Sequence, residues 1–211
     1  MEKSGKQGVS GTKPAALKRQ AAKVEDEPGA YQLFIMRHGI ALDRNSPLAS
    51  DDAARPLTPK GRKRVARIAG GLLKMGYGFD WIVTSPLVRA AETAEIIATS
   101  GATSAAASAS SKKPNPPVDG CAALSPGGSP EAVLADVLAF LAKHADRKRV
   151  MLVGHEPDLS ALAGWLIGAG RDANLEFKKG GCCLIEYDGL PARHSGRLVW
   201  WLTPRVLRAN K

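Results

Sequence analysis

The sequence predicts an α/β fold: a three-layer α/β/α sandwich around a mostly parallel central sheet. Short apolar runs alternate along the chain with amphipathic helical stretches. Several runs are apolar throughout, as expected of strands buried on both faces. Hydroxyl–proline pairs punctuate the helical stretches, where a side-chain cap and a proline in the first turn are favoured.

Taken in order, residues 1–29 are rich in Lys, Gly, Ala and Ser and hold few large apolar side chains, so a disordered basic tail is expected there. The folded domain is expected over 30–211. "YQLFIM" (31–36) reads as the first strand. Thr58-Pro59 opens a helix in which Val65, Ile68, Ala69, Leu72 and Leu73 form one buried stripe. "FDWIVT" (79–84) is the second strand, and Ser85-Pro86 is expected to cap the next helix. A low-complexity stretch from Thr99 to Gly120 reads as a surface loop, with the insertion proper placed at 99–119. Ser129-Pro130 starts a helix with Val133, Leu134, Val137, Leu138 and Leu141 on one face. "RVMLV" (149–153) is a third buried strand, followed by a helix carrying Leu159, Leu162, Ala163, Leu166 and Ile167. "CCLIEY" (182–187) and "RLVWWL" (197–202) are later strands in a hairpin-like arrangement, with Trp200 and Trp201 facing opposite ways, one in and one out.

The 211-residue chain carries a net charge of +10, which favours polyanionic or phosphorylated partners. No nucleic-acid motif accompanies the charge and aromatics are only 5%, so a solvated basic surface is the simpler reading. No apolar run approaches 18 residues, so no membrane span is expected. No secretory leader is visible, and Cys121, Cys182 and Cys183 have no metal-ligand spacing. Cys182 and Cys183 point to opposite faces of a strand, which disfavours a bridge between them. A reduced, cytoplasmic protein is expected.

The chemistry gathers where strands end. The first runs into Arg37-His38-Gly39; the second into Thr84-Ser85-Pro86, with Arg89 one turn on; the third into Gly154-His155-Glu156. If the strands are parallel, two arginines and two histidines meet on one sheet edge, where ligands of such folds bind. Guanidinium forks match phosphate oxygens, and neutral imidazole is a competent nucleophile. Gly39 and Gly154 are expected to let the backbone approach a phosphate. Arg55 either reaches the same edge or fixes its own loop; Arg44 and Asp43 have weaker cases. Glu156 either donates a proton or caps the following helix. Arg89 has an alternative as an ion-pair partner of Glu92 or Glu95. The basic run from Lys60 to Arg67 reads as a solvated helix face before a docking site for a phosphoprotein. His144 and His194 attract no functional claim.

Strand-Arg-His-Gly, then Ser-Pro-x-x-Arg, then strand-Gly-His form a specific ordered set. Together with "RPLTPKGRKRV", "LSPGGSPEAVL" and the late "WWLTPRVL", they resemble the histidine phosphatase superfamily, and within it the SixA-type phosphohistidine phosphatases. The resemblance spans residues 31 to about 170. It implies a phosphoglycerate-mutase-like fold and hydrolysis of phosphohistidine on a protein. It implies His38 as the nucleophile that becomes a phosphohistidine intermediate, Arg37 and Arg89 as phosphate ligands, and His155 as an oxygen-binding partner. It implies no metal and no cofactor. The partner would be a phosphorylated protein or a small phosphorylated substrate. Many superfamily members that cleave esters place an acid between the two histidine motifs. Here that stretch, "ALSPGGSPEAVL", offers only Glu131, which favours a P–N over a P–O substrate. A phosphatase for small phosphate esters, a non-catalytic phosphate-binding module and a nucleic-acid-associated protein are the alternatives.

Overall fold

The computed structural model describes residues 31–48, 51–100 and 114–209. The tail expected at 1–29 and most of the 99–119 stretch lie outside the described residues.

Among the described residues six strands form one sheet: β1 Tyr31–Arg37, β2 Trp81–Thr84, β3 Val118–Gly120, β4 Arg149–Gly154, β5 Cys182–Tyr187 and β6 Arg197–Leu202, in spatial order β3-β2-β4-β1-β5-β6. The β3-β2, β2-β4 and β4-β1 pairs are parallel; β1-β5 and β5-β6 are antiparallel. Five α-helices among the described residues cover the sheet: α1 Pro59–Lys74, α2 Val88–Thr99, α3 Pro130–Leu141, α4 Asp158–Leu166 and α5 Pro204–Ala209.

Strand alternation sorts the core into two layers. Phe34, Met36, Ile82, Met151, Val153 and Leu184 pack against α1, α2 and α5 through Ile68, Leu72, Ala94, Ile97 and Leu207. Leu33, Ile35, Val83, Leu152 and Ile185 face α3 and α4, through Val137, Leu141, Leu159 and Leu162. Covering both faces is why the β1 and β4 sequences are continuously apolar. Truncating a buried side chain such as Phe34 would cost about 3–5 kcal/mol. Cys182 and Cys183 fall in opposite layers.

Thr58 and Ser129 cap α1 and α3 as expected, accepting from the amides of Gly61 and Ala132 at 2.9 and 3.2 Å. Ser85 does not cap α2, which begins at Val88 with Leu87 as its cap residue. The stretch read as a loop to Gly120 ends in a strand, because Val118–Gly120 pairs with Ile82–Thr84 at the sheet edge. Neither Trp200 nor Trp201 faces out. Trp200 packs with Phe34 and Tyr77, while Trp201 stacks on Phe177 from the other face. Helix α5 lies so close to α1 that a Cβ on Gly71 would sit 1.8 Å from the Leu207 carbonyl oxygen.

Helices α1 and α2 leave β1 and β2 toward one face, whereas α4 leaves β4 toward the other. Opposed departures from neighbouring strands open a crevice at their carboxyl ends. Arg37 pairs in register with Gly154, and Thr84 with Val153, so all three motif-bearing ends reach that crevice.

Candidate active site

His38 follows the last residue of β1, and its amide donates to the Gly154 carbonyl at 3.1 Å. That bond ties the end of β1 to the residue before His155. The two imidazole centroids are 5.1 Å apart, and both side chains are buried. His38 Nδ1 lies 2.7 Å from the Gly39 carbonyl oxygen. A carbonyl only accepts, so Nδ1 carries the proton and Nε2 carries the lone pair. The Gly39 amide donates to Thr93 Oγ1 (3.0 Å), and the Thr93 hydroxyl donates to the Arg89 carbonyl (2.7 Å). Helix α2 thus braces the turn that aims His38.

His155 Nε2 is 2.8 Å from Ser85 Oγ. That oxygen also accepts, at 3.3 Å, from the Leu87 amide. If the Ser85 hydroxyl donates to Nε2, the neutral His155 ring carries its proton on Nδ1.

Burial holds both rings neutral. It lowers His38 to about 3, helped by the nearby His155, Arg89 and Arg37 and opposed by the Gly39 bond. It lowers His155 to about 4, with Arg89 adding to the effect and Asp52 opposing it.

The arginines are held by their terminal nitrogens. Arg37 donates through Nη1 to the Phe177 carbonyl at 2.7 Å. Arg89, 3% exposed, donates through Nη1 to the Asp52 carbonyl (2.6 Å) and through Nη2 to the Asp52 carboxylate (3.0 Å). Neither Glu92 nor Glu95 is its partner; Glu92 accepts from the Leu57 amide and pairs with Arg62. Among the described residues, five buried side-chain nitrogen or oxygen atoms have no hydrogen-bond partner. Three of them are Arg37 Nε, Arg89 Nε and His155 Nδ1, while Gln32 Oε1 and Tyr187 Oη lie elsewhere. Buried groups without partners are rare and costly. Two guanidinium N–H groups and an imidazole nitrogen that can carry a proton suit an oxyanion.

Asp52 is the residue that sequence reasoning missed. Its carboxylate also accepts from Arg55 Nε and Nη2 at 3.0 and 2.8 Å and pairs with Arg44 Nε at 3.3 Å. Partial burial pushes the Asp52 carboxyl up, but Arg89 and Arg55 outweigh it and hold the group below its ordinary range. Arg55 is buried and also donates to the Leu42 carbonyl at 2.6 Å, so it fixes this loop and shares its carboxylate with Arg89. Asp43 turns away to accept from the Asn45 amide. Glu156 accepts from the Ser160 hydroxyl (2.7 Å) and the Phe177 amide. It therefore steadies the loop whose carbonyl holds Arg37. Packing alone already requires Gly39, since a Cβ there would meet Val65 Cγ2 at 2.6 Å. Gly154 is similarly closed in by Leu159 and Leu124.

Residues 33–111 match the histidine phosphatase superfamily (branch 1). The chain is 38% identical over 150 residues to an uncharacterised protein of Picosynechococcus sp., covering 71% of this chain and 81% of the relative. The chain belongs to the histidine phosphatase superfamily. A structure of the protein histidine phosphatase SixA complexed with tungstate superposes with a TM-score of 0.65 at 23% identity, over 83% of this chain and 99% of that one. A mycobacterial glucosyl-3-phosphoglycerate phosphatase superposes at 0.57 and 18% identity, over 82% and 99%. These likenesses confirm the fold. They include phosphatases for both a protein and a small metabolite.

Proposed function

We propose that this protein hydrolyses phosphohistidine on a protein, by double displacement through His38. The supporting observation is that Arg37 Nε, Arg89 Nε and His155 Nδ1 are buried without partners, on residues whose charges or ring lie near His38. Arg37, Arg89 and His155 bind the phosphoryl oxygens, and Arg55 acts through Asp52. In the first step the His38 Nε2 lone pair forms an N–P bond as the substrate's P–N bond breaks. The bonding pair leaves with the substrate imidazole, which departs neutral when its other nitrogen is protonated. Positive charge on the phosphorylated His38 ring is shared with the Gly39 carbonyl through Nδ1–H. Water then attacks phosphorus, the Nε2–P pair returns to His38, and the water proton leaves with inorganic phosphate.

The carboxylates favour a P–N over a P–O substrate. An alkoxide leaving group needs a proton, typically worth about 10²–10⁴-fold. Asp52 is held ionised by arginines, and Glu156 is occupied by Ser160 and Phe177, so neither is a good donor. The buried free thiols of Cys121, Cys182 and Cys183 suit a reducing compartment such as the cytoplasm.

Turnover of phosphohistidine and of phenyl phosphate, with rapid quenching of ³²P-labelled substrate, tests the reading. Phosphohistidine should be preferred, and labelled enzyme should be acid-labile, alkali-stable and absent in His38→Ala. Acid-stable label, or preference for the ester, would overturn it.

A further inference from the structure

Outside the site, α1 and α5 enclose an open groove of about 370 Å³ lined by Pro59, Lys60, Lys63, Arg64, Arg67 and Arg208. Every lining residue but proline is cationic. Lys60, Lys63 and Arg67 are exposed, while Arg64 and Arg208 are half-buried. Among the described residues no acidic side chain pairs with any of them. The contrast on the same helix is Arg62, one residue off this face, which is neutralised by Glu92. The fold therefore concentrates five positive charges in one concavity and leaves them uncompensated.

The groove starts at the catalytic edge. Thr58, immediately before Pro59, donates its amide to the Ile40 carbonyl at 2.9 Å, two residues past His38. From Lys60 to Arg67 the helix rises about 10 Å, the span of roughly three extended residues. A polypeptide whose modified residue sits beside His38 could run straight on into it.

We infer that this groove docks a short acidic segment, rich in Asp or Glu, flanking the phosphorylated residue of the protein substrate. The inference rests on the proposed function for the identity of that substrate. Charge complementarity carries it, and such contacts act chiefly on encounter and on KM. Nucleic acid is the poorer match, because no aromatic side chain lines the groove to stack a base.

The test uses the full chain and a K60E/K63E/R67E variant, checked for wild-type circular dichroism. A fluorescent peptide with four consecutive Glu residues, unphosphorylated, reports docking by anisotropy. Wild type should bind it with an affinity that falls steeply with salt, and the variant should lose at least tenfold. Phosphohistidine peptides with Glu-rich and Ala-rich flanks report the coupling to turnover. Wild type should show a KM about tenfold lower for the Glu-rich peptide, the variant equal KM values, and both the same rate on free phosphohistidine. Equal KM values in wild type, or unchanged peptide binding by the variant, overturn the inference. So does tighter binding of an equally charged single-stranded oligonucleotide. If wild type binds the acidic peptide yet hydrolyses no phosphohistidine, the docking surface stands and the proposed function falls.

Discussion

Two positive regions of this protein handle their charge in opposite ways. At the sheet edge Arg37, Arg55 and Arg89 are drawn in, and six of their nine side-chain nitrogens are tied to Asp52 and to backbone carbonyls. Along α1, Lys60, Lys63 and Arg67 stand in solvent with no acidic partner among the described residues. The buried cations need compensation because desolvating a charge costs several kcal/mol; the exposed ones do not. What remains unpaired therefore carries different information. In the clamp it is single N–H groups with fixed directions, which suits one small anion. In the groove it is bare charge on flexible stems, which suits a loosely defined acidic chain and is screened by salt.

Removing the buried chemistry should have the largest effect. His38→Ala should lower kcat by about 10⁴-fold or more, measured as phosphate release, since no other group supplies the nucleophile. Arg89→Ala should cost about 10²–10³-fold in kcat, as for loss of one preorganised donor to a developing charge. That ratio should be the same at low and high salt; a loss that shrinks in salt would place Arg89 with the groove instead. Asp52→Asn should cost about tenfold in kcat by freeing the Arg89 fork, and an unchanged kcat would remove Asp52 from the machinery.

Acid stability comes next. Unfolded histidines protonate below about 6.5, but folded His38 and His155 only near 3 and 4. Between those limits the unfolded chain binds more protons, so stability is full above pH 6.5 and falls as pH falls. The slope is up to about 1.4 kcal/mol per pH unit for each ring. Urea midpoints at pH 7 and 5 should differ in that sense, and less so in a His38→Ala/His155→Ala variant. The smallest effect is expected of Lys63→Gln on free phosphohistidine, whose kinetics should stay within about twofold of wild type.

Much of this was written plainly in the chain. The β1 and β4 runs were legible because both their faces are covered, and α1 and α3 because Thr58 and Ser129 do act as caps. Strand β3 was not, since Val118–Gly120 offers three residues and one large apolar side chain. Helix α5 was not, since six residues with Leu207 alone buried make no stripe. At the site, the strand ends announced His38, His155, Arg37 and Arg89. Ser85 was misread because a hydroxyl before proline looks like a cap, whereas here it meets an imidazole across the sheet. Asp52 gave only a faint sign, its spacing of three from Arg55, and the Phe177 carbonyl gave none, because backbone groups leave no trace in residue type.

The parallel sheet also separates two poles. Helix α2 runs from the crevice to Thr99, and β3 sets out again at Val118 beside Ile82, both at the edge away from His38. The two anchor residues, Thr99 and Val118, thus sit at the pole opposite the crevice. A fluorescent reporter or an affinity handle tethered next to Thr99 or Val118 would therefore be anchored at the far end of the sheet from His38.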